Sequence, residues 1–189
     1  DLCVDLVPLF PVTDLTVAQW VTRARNKAAY WSVGDRFSGW RIGTGGAVQS
    51  RFYDKFLEII EESYKVYLFA LWREQGWKDG EPVWRQEFQT ARQALRELRI
   101  DSVADLLANL GALWKYLIRD WLRLANPLVS DGNRSRWPNH PLWDALAKVN
   151  WSDIPQPTLK RIRPSGAPRD EHLFTGFPGY IASLMALFA

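Results

Sequence analysis

The sequence predicts an α+β fold, a twisted antiparallel sheet with helices packed on one face and a helical C-terminal part. Two observations carry this. Period-2 alternation is concentrated in "DLCVDLV", "GWRIGTGGAVQSRFYD" and "VWRQEFQ", whereas apolar residues at helical spacing dominate after residue 90. Strands that come first and helices that follow argue against a doubly wound parallel sheet, in which the two alternate. The 189 residues suit one domain, with a sheet-containing core over 1–100 and a helical part of the same domain over 101–189.

In the opening stretch Asp1, Cys3 and Asp5 alternate with Leu2, Val4 and Leu6, the pattern of a half-buried strand, and Pro8 and Pro11 end it. Asp14 reads as the N-cap of a helix through "LTVAQWVTRARNKAAYW", where Val17, Trp20, Val21 and Ala24 form an apolar stripe. Gly43, Gly45 and Gly46 supply the turn of a hairpin ending in "QSRFYD". No Lys-Ser/Thr pair follows these glycines, so they do not form a P-loop. Helical spacing runs from Phe56 to about Glu74, and "GWKDGEP" breaks it.

"VWRQEFQ" is a further strand. "ARQALRELR" and "SVADLLANLGALWKYLIRDWLRLA" are helices, the second with Val103, Leu106, Leu107, Leu110, Leu113, Trp114, Leu117 and Trp121 at core spacing. A polar loop, "NPLVSDGNRSRWPNHP", leads to a short helix around Leu142 to Val149, and "GYIASLMALFA" closes the chain as a helix.

Hydrophobic residues make up 47% and charged residues 24%, ordinary soluble usage that excludes fibrous and low-complexity classes. Eleven Trp give many large side chains for packing or for stacking on bases. The formal charge is only +3, so nucleic-acid contact depends on a local patch. One lies at Lys160, Arg161, Arg163 and Arg169, with Arg134 and Arg136 nearby in sequence. The single Cys3 excludes an intrachain disulfide and fits a reducing compartment. No apolar run reaches about 18 residues and no signal sequence opens the chain, so a cytoplasmic protein without a membrane partner is expected. Because the sequence opens at Asp1 without Met, a preceding segment is expected too.

The two histidines, His140 and His172, stand far apart with no His-x-His pair, which excludes the histidine-based nickases, and neither has a Ser or Cys nucleophile context. Alternation instead groups Arg51, Tyr53 and Lys55 opposite Phe52, and Arg85 and Glu87 opposite Trp84 and Phe88. With the apolar faces turned to helices, Asp5, Tyr53, Lys55 and Glu87 share one polar face. Such a face is merely wet, or it works. Two carboxylates can hold a hard divalent cation, and a metal or lysine can lower the pKa of a phenol from about 10, which makes a tyrosyl attack on a phosphodiester accessible.

"DLCVDL", "FSGWRIGTGGAVQSRFYDKFLEI", "VWRQEFQ" and "DGNRSRWPNHPLW", in that order, resemble the replication initiation factor family, trans-acting initiators of rolling-circle plasmids and related mobile elements. The likeness runs from Asp1 to about Trp151. It implies a metal-dependent, site-specific DNA nicking and strand-transfer enzyme that keeps the 5′ end as a phosphotyrosine and frees a 3′-OH. It implies a nuclease core with Tyr53 as nucleophile, Lys55 as electrostatic support, and Asp5 and Glu87 as ligands of Mg²⁺ or Mn²⁺, with Glu58 as a third acid. Tyr64 and Tyr67 are alternative nucleophiles.

DNA contacts are expected from Arg51, Arg85, Asn133, Arg134, Arg136, Trp137, Arg161 and Arg163. The partners implied are origin DNA, double-stranded with an unpaired region at the nick site, a second copy in a homodimer, and a helicase. A non-catalytic DNA-binding module of a mobile element is the competing reading, and a protein-interaction domain with Trp-rich helices is a third. For "DGNRSRWPNHPLW" the alternative to DNA contact is an ordered loop docked on the helices.

Overall fold

Alternation at the start of the chain does build a strand. In the computed structural model, which describes residues 1–25, 29–151 and 156–162, β1 (Leu2–Leu6) lies at one edge of a five-stranded antiparallel sheet. The order is β1, β6 (Trp84–Thr90), β5 (Val48–Asp54), β4 (Arg36–Ile42) and β3 (Ala29–Val33). β4 and β5 are the expected hairpin, turned by Gly43 and Gly45 at φ 78° and 75°. The fold is α+β.

The register sorts side chains into two faces. Val48, Phe52, Trp84, Phe88, Trp40 and Ile42 are buried against Leu113, Trp114, Leu117, Trp121 and Trp143 of the C-terminal helices. Tryptophans there are fixed by polar anchors as well as area: Trp114 Nε1 donates to the Leu146 carbonyl at 2.9 Å and Trp143 Nε1 to that of Ile118 at 2.6 Å. A second cluster, Ile59, Trp72, Trp77 and Val83 with Phe56, Leu68 and Phe69, forms around the segment after β5.

Four expectations need correction. The described residues of the stretch from Leu15 to Trp31, expected as a helix capped by Asp14, do not form one. The chain here makes two 3₁₀ turns, Val12–Asp14 and Val17–Gln19, then β2 (Trp20–Thr22) and β3. β2 pairs with β7 (Leu122–Leu124), which buries Trp20 between Phe52 and Trp143, and this pairing outweighs the apolar stripe. β3 returns into β4 through a two-residue loop, Gly34-Asp35, with Gly34 at φ 57°.

The expected 56–74 helix is α1 (Lys55–Glu58), a π turn Ile59–Ser63, a break at Tyr64 (φ 53°) and α2 (Tyr67–Glu74). After α3 (Arg92–Glu97), the long helix divides into α4 (Val103–Ala108) and α5 (Leu110–Lys115), widens into a π turn over Tyr116–Trp121, and ends as β7 rather than helix. Lys55 opens α1 and is not on the strand, because Asp54 caps that helix through an Oδ1 that accepts from Leu57 N at 2.9 Å.

The short helix α6 (Pro141–Ala147) forms as expected, with His140 Nδ1 accepting from Leu142 N at 3.2 Å. The terminal helix expected over 179–189 lies outside the described residues, as does Arg163. No helix among the described residues is long and apolar enough to cross a membrane.

Candidate active site

Tyr53 stands on the face of the sheet opposite the main core. Two rows of residues cross this face. One runs Trp31, Gly39, Tyr53, Arg85, Asp5, and the other Ala29, Arg41, Arg51, Glu87, Cys3. Sequence alternation thus puts Asp5, Tyr53 and Glu87 together, as expected. Gly39 is needed in its row, because a Cβ there would come 2.7 Å from Tyr53 Cβ and 2.8 Å from the Phe52 carbonyl oxygen.

The Tyr53 hydroxyl donates to Glu87 Oε2 at 3.2 Å. Glu87, itself buried, is held by Arg51, whose Nη1 donates to Oε1 at 2.9 Å while Nη2 reaches Gln89 Oε1 at 3.3 Å. Asp5 is gripped in a fork by Arg85, Nε to Oδ1 at 2.6 Å and Nη2 to Oδ2 at 2.7 Å, and accepts from Trp72 Nε1 at 2.9 Å. Lys55 is buried and pairs with Glu58, which also accepts from Ser63 Oγ at 3.1 Å. Its Nζ lies 5.8 Å from the Tyr53 ring centroid.

This geometry corrects one expectation. A lysine beside the phenol is expected to favour phenolate, but Lys55 is engaged by Glu58, and the other flanking cation, Arg51, by Glu87. Burial, and next the Glu87 carboxylate, push the Tyr53 phenol well above its ordinary value, so the resting hydroxyl is protonated and aimed at a base.

Tyr53 lines an open cleft of about 450 Å³. Trp31 forms part of its wall, its ring edge-on to Tyr53 with centroids 6.4 Å apart. Arg41 and Arg51 stand among the lining residues, as do Asp54, Glu58 and Glu62. Asp54 Oδ2 accepts from Arg36 Nη2 at 2.8 Å, and burial raises its carboxyl pKa. Tyr64 and Tyr67 are 72% and 63% exposed and do not line this cleft.

The three acids are not arranged to share one ion. Each is held by its own cation, and among the described residues no group of three or more His, Cys, Asp or Glu side chains is placed to hold a metal. As they stand, these donors do not fit the open oxygen shell that Mg²⁺ or Mn²⁺ requires.

No protein-family model and no curated protein matches the sequence. Among solved structures the chain is similar to the rolling circle replication initiator protein from Geobacillus stearothermophilus, at 19% identity and a TM-score of 0.46. The similarity covers 76% of this chain and 52% of that one, so the chain spans about half of that protein's length. Likeness at this depth does not extend to the chemistry of a site.

The other expected DNA contacts among the described residues are engaged within the protein. Arg134 Nη2 donates to the Trp20 carbonyl at 2.7 Å and to that of Ala18, while its guanidinium lies 5.5 Å from the Trp137 ring centroid. Asn133 Oδ1 accepts from Ser135 N at 3.1 Å, Arg136 forks Asp131 with both distances at 2.7 Å, and Trp137 Nε1 donates to the Asp131 carbonyl at 2.7 Å. Arg161 is half-buried and pairs with the buried Glu97.

Sequence reasoning missed Trp31, Gly39 and Arg41. The signal for Trp31 lay in "AYWSVGDRF", alternating residues beside a Gly-Asp turn, and that for Arg41 in its alternation with Gly39.

Proposed function

We propose that the chain is a rolling-circle replication initiator that nicks one strand of origin DNA through Tyr53. The observation that carries the reading is the Tyr53 hydroxyl donating to Glu87, with Tyr53 lining a cleft that also presents two arginines. The order of the four motifs that resemble the replication initiation factor family supports it.

In this reading the phosphate is drawn to Arg41 and Arg51, and the phenol oxygen attacks phosphorus. The Tyr53 Oη–P bond forms, the P–O3′ bond breaks, and the phenolic proton passes to Glu87. The 5′ phosphate stays on the tyrosine, and the 3′ oxygen leaves as an alkoxide that takes a proton from water. A phenol that stays protonated until a base removes its proton suits such a concerted transfer.

Origin DNA with an unpaired region at the nick is the proposed substrate. A homodimer and a helicase partner belong to the same proposal, and Mg²⁺ or Mn²⁺ dependence would require Asp5 and Glu87 to exchange their arginines for the ion. The competing reading, a DNA-binding module without cleavage, is favoured by the pairing of Asp5, Glu58 and Glu87 with cations.

The test is a nicking assay on supercoiled plasmid carrying the element's own origin, with Mg²⁺, with Mn²⁺ and with EDTA. Nicked circles and a covalent protein–DNA adduct are expected, both lost in Tyr53→Phe and both dependent on added ion. DNA binding without nicking under any condition would select the binding module. Nicking in EDTA would remove the ion from the proposal.

A further inference from the structure

We propose that Trp31 and Arg41 form a subsite for one unpaired nucleotide of single-stranded DNA beside Tyr53, the base against the Trp31 indole and the phosphate on Arg41 and Arg51. The proposal rests on the DNA reading above and says where the strand lies.

Charge pairing within the cleft singles out Arg41. Arg51 is held by Glu87, Asp54 by Arg36 and Glu58 by Lys55. Arg41 is tied to a neutral amide instead, its Nη2 donating to Gln49 Oε1 at 3.1 Å, and among the described residues its buried Nε has no hydrogen-bond partner. A guanidinium carries five N–H donors and keeps its charge at any ordinary pH, so one held by an amide and short of acceptors is suited to an anion with several oxygens. It stands directly across from Arg51 in the strand register, and both residues line the cleft.

Trp31 supplies the other half. It lies on β3, the edge strand, half-buried, and its cross-strand neighbour is Gly39, so the indole stands beside a position with no side chain and next to Tyr53. A base stacked in a duplex has both faces covered, whereas an unpaired base can offer a face to an aromatic side chain. Of the acids in the lining, Asp54 and Glu58 are already paired with cations, and the charge of Glu62 favours phosphate in the part of the cleft where Arg41 and Arg51 stand. A recess of about 450 Å³ is of the size that takes a small ligand.

The experiment measures binding of the full chain to a labelled oligo-dT of about 16 nucleotides, a length at the upper end of single-strand site sizes. The same-length oligo-U and a hairpin duplex are run in parallel, each across a salt series. In Trp31→Leu the oligo-dT affinity should fall by about 5- to 150-fold, the loss of one base stack, with duplex affinity unchanged. Arg41→Gln should flatten the log affinity against log salt slope for oligo-dT by about 0.7, one phosphate contact. Tyr30→Ser, on the same strand but the other face, should change neither.

Unchanged oligo-dT affinity in Trp31→Leu, equal losses on duplex and single strand, or an unchanged slope in Arg41→Gln would each overturn the subsite. Preference for oligo-U over oligo-dT would overturn its assignment to DNA. If Trp31→Leu does not fold, Trp31→Phe, which keeps a stacking ring, should bind within a few-fold of the parent, and the Arg41→Gln slope decides. These readouts need no cleavage. Loss of nicking with the Trp31 effect intact would defeat the nickase reading alone, and nicking by a chain whose Trp31→Leu variant binds normally would defeat the subsite alone.

Discussion

Tyr53 shows how one side chain's chemistry depends on its neighbours more than on its sequence flanks. Arg51 and Lys55 lie two residues away on either side, yet the group its hydroxyl meets is Glu87, from the adjacent strand. The pH behaviour follows with a definite sign. The unfolded phenol titrates near pH 10, and in the folded protein it is raised, so above about pH 10 the native state holds more protons than the unfolded chain. The stability this group contributes is therefore present below that pH and lost as pH rises. Tyr53→Phe should therefore lose about 1.5–3 kcal/mol near neutrality, the hydrogen bond to the buried Glu87 carboxylate, and flatten the alkaline decline, as read by urea titrations across pH, while abolishing any covalent adduct. An alkaline decline of equal slope in the variant would deny the buried hydroxyl its role. Gly39 makes the complementary point: Gly39→Ala should cost about 1–3 kcal/mol because its methyl meets backbone atoms of β5 as well as Tyr53. Gly132→Ala, with open space around it, is the neutral comparison in the same denaturation series.

At the scale of elements, the segment from Asp14 to Val33 is where local pattern and tertiary pairing disagree. A helix would bury Val17 and Trp20 on one stripe. In the structure Val17 is 50% exposed and Trp20 only 3%, because β2 pairs with β7 and turns Trp20 into the core. The two arrangements differ in which substitution hurts. Trp20→Ala should destabilise by about 3–5 kcal/mol, a buried aromatic removed, whereas Val17→Ser should stay within about 0.5 kcal/mol. Comparable losses at both positions in thermal unfolding would favour the helix. The helical reading also passed over Gly34-Asp35, whose two-residue length and glycine are a hairpin signal between "AYWSV" and "RFSGW".

Across the whole molecule, basic residues divide into those that hold the fold and those that face the cleft. Arg134 ties the loop after β7 to β2, and Arg123 Nη1 donates to the Trp137 carbonyl at 3.2 Å and to Asn139 Oδ1 at 2.8 Å, which fastens the same loop. Arg134→Gln should therefore lose about 0.5–1.5 kcal/mol per hydrogen bond removed and leave the salt dependence of DNA binding as it is. Arg51→Gln should do the reverse for binding, flattening the slope by roughly 0.7 on single strands or 0.9 on duplex. A salt series on the two variants separates these roles, and a flattened slope in Arg134→Gln would return the loop to the DNA-contacting surface.

The sequence by itself determined the α+β class, the β4–β5 hairpin and the shared face of Asp5, Tyr53 and Glu87, because a period of two fixes which side chains lie together once a strand exists. It did not determine which cation meets which acid. Arg85 reaches Asp5 across 80 positions of sequence, and Arg51 reaches Glu87 across 36. Those pairings depend on strand order and register, which carry no local signature when β1 and β6 are far apart in the chain. Nor could it show that Lys55 leaves the strand, since the Asp54 cap that starts α1 competes with alternation at that residue. Trp31 and Arg41 became neighbours of Tyr53 only when β3 and β4 docked beside β5, a packing decision made by the long-range pairing of the sheet.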